Sequence, residues 1–238
     1  MSMGSWVVGR PLSSLARPRR LLLTPAATEV LVFSVCVLAL VTAAAQPLVP
    51  MWELLKDPLE VAVQSGRCCS FHFGLLAVLM SLMWFSTAVV SLLTAILLFC
   101  HSDVRQPIRF LLYAGFFSGL LGVDDQFQVH DQVLPWYGIS EKVLLAVYFM
   151  IALGYVMVSW REILRHRVHV LAIGIAMLTA SVAIDVVWPT GGQWRLLAED
   201  GTKALGILGW SLFHISAAYR LVVAEMQQSP VHRTRSAP

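Results

Sequence analysis

Residues 123–142 read VDDQFQVHDQVLPWYGISEK, directly after the apolar run FLLYAGFFSGLLG at 110–122. Where this stretch sits decides how the chain is read. Asp124 and Asp125 stand where a membrane-crossing helix would still be inside hydrocarbon, and no span needs an acid merely to cross. Pro135 and Gly138 then break the helix, and Ser140 with Glu141 opens the next, a serine being a good N-cap and an acid suiting the first turn.

The surrounding composition supports the membrane reading. With 58% hydrophobic and 13% charged residues, the chain lies outside the soluble globular range. Its 238 residues, at about 20 per span, suffice for one all-α bundle of about six transmembrane helices and leave no room for a soluble domain. The net charge is only +3, and the arginines gather in short segments between apolar runs, so no nucleic-acid partner is expected. Cys36, Cys68, Cys69 and Cys100 form no CxxC spacing; the first and last read as buried apolar residues, and the adjacent middle two, which could oxidise, read first as plain loop residues.

Working outward, the expected spans are 30–45, 71–100, 107–132, 141–160, 168–188 and 199–220. Residues 1–28 form a basic cytoplasmic segment, 29–224 the six-helix transmembrane domain and 225–238 a disordered cytoplasmic tail. Ala43-Ala44-Ala45 has the form of a signal cleavage site, but the long basic region before it favours an uncleaved first span. The longest connection, 48–70, carries Glu53, Asp57 and Glu60, with 51–55 along the interface as a short helix. Six spans put both termini on one side. Arg10, Arg17, Arg19, Arg20, Arg105, Arg109, Arg161, Arg165, Arg167, Arg220, Arg233 and Arg235 fall there, against Lys56, Arg67, Lys142, Arg195 and Lys203 opposite. The positive-inside rule makes the termini cytoplasmic and the protein a multi-pass one of the cytoplasmic (inner) membrane, with Glu53, Asp57, Glu60, Asp124, Asp125, Asp131, Glu141, Asp185, Glu199 and Asp200 toward the outer side.

If Arg109 marks the inner boundary, Asp124 lies about 22 Å above it, inside a core about 30 Å thick. Helical spacing places Tyr113, Phe117, Asp124, Gln128 and Asp131 on one face with Asp125 beside them, and His130 about one turn higher. Glu141 and Lys142 open the fourth span, Asp185 closes the fifth, and Glu199, Asp200 and Lys203 open the sixth. Asp124, Asp125, His130, Asp131 and Asp200 are thus candidate ligands for a divalent metal (Zn, Mg, Mn or Fe), with His72 as an extra ligand and Glu141 and Glu199 as general bases. The alternative is that Asp124 or Asp125 pairs with Lys142 or Lys203 and holds helices together. His214 lies about 21 Å below Asp200 on the stripe Asp200, Lys203, Ile207, Trp210, so it either lines a polar channel or hydrogen-bonds a neighbouring helix. Gly206 and Gly209 suit close helix packing, while His166 and His169, among arginines, read as a solvated or lipid-facing loop.

The set Asp124-Asp125-x-Phe127-x-x-His130-Asp131, then Gly138-Ile139, Glu141-Lys142 and Glu199-Asp200-Gly201-x-Lys203-x-x-Gly206, resembles a group of uncharacterised bacterial multipass membrane proteins. A fainter similarity is to the alkaline ceramidase and progestin-receptor-like membrane hydrolases, in which His214 would match a late zinc ligand while Ala218 stands in place of the second. The Asp pair also looks like the DDxxD of prenyl-diphosphate enzymes, although the next Asp is at 131. Three functions follow as expectations: a metal-dependent hydrolase of a lipid or lipid-linked substrate, an ion or proton-coupled transporter using the stripe to His214, and a non-catalytic accessory membrane subunit. Oligomeric state is not legible.

Overall fold

The computed structural model describes residues 25–68, 70–101, 105–188, 190 and 192–228, and the side chains of Pro25, Ala26, His101, Asp131 and Gln228 lie outside that description. Every regular element among them is helical: α1 (Pro25–Ala45), α2 (Met51–Leu55), α3 (Pro58–Ser65), α4 (Leu75–His101), α5 (Arg105–Phe127), a π-helical turn (Val129–Val133), α6 (Leu134–Trp136), α7 (Glu141–Arg165), α8 (Val168–Val187) and α9 (Gln193–Gln228). Most of the basic segment 1–28 and of the tail 225–238 falls outside the described residues.

Five helices, α1, α4, α7, α8 and α9, are long and apolar enough to cross a membrane. The chain is a multipass membrane protein by this measure. The expected third span, α5, is 23 residues long but is not one of the five. Arg105, Arg109, Asp124 and Asp125 lower its hydropathy; the two arginines are exposed near its start, whereas Asp124 is buried and Asp125 half-buried at its end. The last helix also departs from expectation, running to Gln228 instead of ending near Arg220, since no Gly or Pro interrupts 210–228. Large apolar side chains face outward along the spans, among them Phe99 at 76% exposure and Phe149 and Met157 at 67%. Such a surface suits acyl chains and would be untenable in water.

α5 and α9 form the centre, with α4 against both, α8 against α9 and α7 against α5. Phe110, Leu111, Ala114, Ile207, Phe213 and Ala217 are buried where they meet. α4 and α5 run antiparallel: a Cβ on Gly122 would meet Trp84 and Phe85, and one on Gly115 would meet Leu92 and the Ala88 carbonyl. α8 and α9 meet through Gly174, Gly206 and Gly209, as the glycine pattern of α9 led us to expect. A Cβ on Gly174 would stand 2.9 Å from the Trp210 backbone nitrogen and 3.0 Å from the Gly206 oxygen.

The short helices α2 and α3 close one end. Pro58 fits the first turn of α3, and Gly66, at φ +62°, ends it. Gly74, also at φ +62°, lies against the Pro58 ring where a side chain would collide, and its N–H donates to the Glu53 carbonyl at 2.8 Å. This contact ties α2 and α3 to the start of α4. Cys68, expected to be a plain loop residue, is disulfide-bonded.

Candidate functional site at the acidic end of the bundle

α5 ends at Phe127 because Gln128 turns into the left-handed region, at φ 49°, which non-glycine residues seldom adopt. The π-helical turn that follows, closed by the Val133 N–H on the Gln128 carbonyl at 3.2 Å, folds His130 back onto the last turn of α5. Asp124 is 5% exposed and receives three donors. The His130 backbone N–H reaches Oδ1 at 3.0 Å, the His130 Nδ1–H reaches Oδ2 at 2.6 Å, and the Tyr148 hydroxyl of α7 reaches Oδ1 at 2.9 Å. A carboxylate can only accept, so Nδ1 carries a proton. Helical projection alone had set His130 a turn above Asp124, at the rim; the broken helix makes them partners.

Asp125 points elsewhere. It forms an ion pair with Lys203 of α9 and accepts a hydrogen bond from Ser81 of α4 at 3.5 Å. Asp57 and Asp200 also act electrostatically on Lys203. Asp57, just before α3, accepts a bond from the Gln128 side chain at 2.5 Å, linking the α2–α3 cap to the residue that bends the site. Burial pushes the Asp57 carboxyl above the usual carboxylate range, with the Gln128 bond and Lys203 opposing it.

The remaining predicted residues are spread over four other places. Asp185 and Glu199 both pair with Arg195, the latter at 3.0 Å, joining the end of α8 to the start of α9. His72 meets Glu53 at 3.0 Å, and Arg67 meets the same carboxylate at 2.5 Å. Glu141 and Lys142 are exposed at the start of α7, so the helix-pairing lysine is Lys203. His214 lies in the core at 0% exposure, its Nδ1–H on the Trp210 carbonyl at 2.8 Å and its Nε2 2.7 Å from the Tyr155 hydroxyl. It thus bonds a neighbouring helix, α7, while Trp210 reaches Ser118 of α5 at 2.8 Å.

Three contacts fill three of the four acceptor positions on Asp124, and Asp125 is committed to Lys203. Accordingly, among the described residues no group of three or more His, Cys, Asp or Glu is placed to hold a metal ion. Among the participants missed in the sequence are Tyr148 and Ser81, whose only signal was a hydroxyl in an apolar span, and Glu53 and Asp57, which read as loop acids.

A family described as a domain of unknown function (DUF8692) matches residues 30–217, most of the chain and all of the site. The chain belongs to this family. No curated protein and no solved structure matches it. DUF8692 membership agrees with the resemblance to an uncharacterised group, and nothing in these comparisons supports the likeness to ceramidases and progestin-type receptors or to prenyl-diphosphate enzymes.

Proposed function

We infer that this DUF8692 chain is a six-span protein of the cytoplasmic membrane, with α5 as the additional span and both termini cytoplasmic, that hydrolyses a lipid or lipid-linked substrate at its outer end. The observation that carries the reading is the Asp124–His130 pair, a buried carboxylate holding the imidazole Nδ1–H at 2.6 Å on a backbone bent to bring them together. Such a carboxylate fixes the tautomer and stabilises the imidazolium that forms. His130 Nε2 takes a proton from water, the water oxygen attacks the ester or phosphoester, and the imidazolium returns the proton to the leaving oxygen. Tyr148 keeps Asp124 in register. Glu199, bound to Arg195, and the exposed Glu141 give way to His130 as the base. A divalent ion would enter the same reading through the His130 imidazole and the fourth acceptor position of Asp124.

The test is turnover of phospholipid carrying labelled acyl chains or a labelled headgroup by purified protein in vesicles. His130→Ala is expected to lower the rate by about 10²–10⁴-fold. Undiminished activity in a folded His130→Ala protein would overturn the reading. Metal analysis of wild type beside Asp124→Ala with Asp125→Ala separates its two forms: a stoichiometric ion lost in the variant supports the metal form, and full activity of metal-free protein supports the imidazole base alone.

A second reading, an accessory membrane subunit, is favoured by a different observation. Lys203–Asp125, Arg195–Asp185 and Arg67–Glu53 each join separate elements. It expects function to survive both His130→Ala and the charge-swapped pair Asp125→Lys with Lys203→Asp, wherever the protein folds.

A further inference from the structure

At the end of the bundle opposite the acidic site, His166 lies between α7 and α8. Its position among arginines suggested a solvated or lipid-facing loop, but the ring is tucked inward. It stacks on Phe110 of α5, with centroids 6.0 Å apart and planes 22° from parallel, and meets Phe213 of α9 edge-on at 6.2 Å. Its Nε2 is enclosed and has no hydrogen-bond partner among the described residues. Two turns back along α7, Ser159 is 1% exposed, and its hydroxyl oxygen also has no partner among them. Enclosed polar atoms of this kind call for a hydrogen-bonding group that the chain itself does not supply.

The cations are placed to choose that group. Arg165 precedes His166 directly, and its side chain, 64% exposed, uses Nη1 on Glu162 at 2.6 Å and retains further N–H donors. Arg220 stands seven residues beyond Phe213, two turns along the same face of α9, or about 10.5 Å. Burial first, then the charges of Arg220 and Arg165, hold the His166 pKa below its ordinary 6.5. An anion between the three groups would relieve that repulsion. A tetrahedral phosphate, with several acceptor oxygens, can take an imidazole N–H and two guanidinium groups together. At a bilayer boundary, basic pockets between helices suit lipid headgroups.

We propose that His166, Arg165 and Arg220 form a binding site for the phosphate of an anionic lipid headgroup, at the end of the bundle opposite the Asp124–His130 pair. The site is independent of the hydrolytic reading. Its ligand is held by phosphate chemistry, and the acyl chains lie in the surrounding bilayer.

The full chain, purified in detergent, is offered phosphatidylglycerol or phosphatidylcholine, and retained lipid is counted by native mass spectrometry. Wild type is expected to retain phosphatidylglycerol at least tenfold more readily. His166→Phe, which keeps the ring stack but removes Nε2, and Arg220→Gln should each reduce that preference at least fivefold, whereas Arg161→Gln, on an exposed residue of α7, should leave it unchanged. Should His166→Phe fail to fold, Arg220→Gln carries the test. Inorganic phosphate alone is the second arm: stabilisation of wild type but not of Arg220→Gln by millimolar phosphate, without a headgroup preference, supports the site and assigns it to free phosphate. Equal retention of the two lipids with no phosphate effect overturns the proposal, as does an equal loss in Arg161→Gln, which would mark general surface charge.

Discussion

Asp124 and Asp125 are adjacent in sequence yet serve different partners. Asp124 is satisfied by neutral donors and an imidazole, Asp125 by a lysine from another helix. Lys203→Met would leave Asp125 without its cation in a site where the carboxylate side chain is 10% exposed, at a cost on the order of 3 kcal/mol, because the lysine is itself partly exposed. We expect a lowered thermal midpoint in detergent, regained in part by the double variant Lys203→Met with Asp125→Leu. His166 gives a pH signature. Its folded pKa lies below the unfolded value of 6.5, so the unfolded chain binds more protons and stability falls as pH drops below about 6.5. His166→Phe should flatten the thermal midpoint between pH 7 and 5. That the two aspartates close an apolar run was legible in the sequence, and the fold buries Asp124 and half-buries Asp125. Which lysine would pair with Asp125 was not legible, since the sequence set both Lys142 and Lys203 near the starts of their spans and only the docking of α9 brings Lys203 to Asp125.

Among the elements, the contact of α8 with α9 is the most demanding. Gly174→Leu would drive a side chain into the backbone of Trp210 and Gly206, atoms that cannot move without parting the helices, and should cost about 1–3 kcal/mol or more. Gly154→Ala in α7, where a Cβ meets nothing within 4 Å, should be neutral or slightly stabilising. Equal effects of the two on thermal unfolding would contradict this packing. Gly206 and Gly209 were readable as a close-packing face, but their partner Gly174 emerged only from the docked helices. The π-helical turn had still less signal: Pro135 and Gly138 announce a break, yet the break begins earlier, at Gln128, in a residue type with no strong turn preference.

Across the whole molecule, the ends of α5 and α8 and the starts of α4, α7 and α9 meet at one end, covered by α2 and α3, while the α7–α8 turn lies at the other. If α5 crosses as the sixth span, single cysteines at Gly138 and at His169, placed in a chain lacking its own cysteines, should react with a membrane-impermeant thiol reagent from opposite sides, Gly138 from outside. Labelling at Gly138 from the cytoplasmic side would contradict a crossing by α5, and labelling of both from the same side would contradict one by α7.

By itself the sequence determined that the chain is helical and built for a membrane, because hydropathy and span length are sums over neighbouring residues and need no partner. It also determined that acids gather toward one end of the chain's spans. Tertiary structure decided what those acids do. The bend at Gln128 turns VDDQFQVHD from a helical face into a loop that closes on itself, pairing Asp124 with His130, while the docking of α9 claims Asp125 for Lys203. Pairing depends on distances of a few ångströms between groups far apart in the chain, and a backbone torsion or a helix rotation sets them.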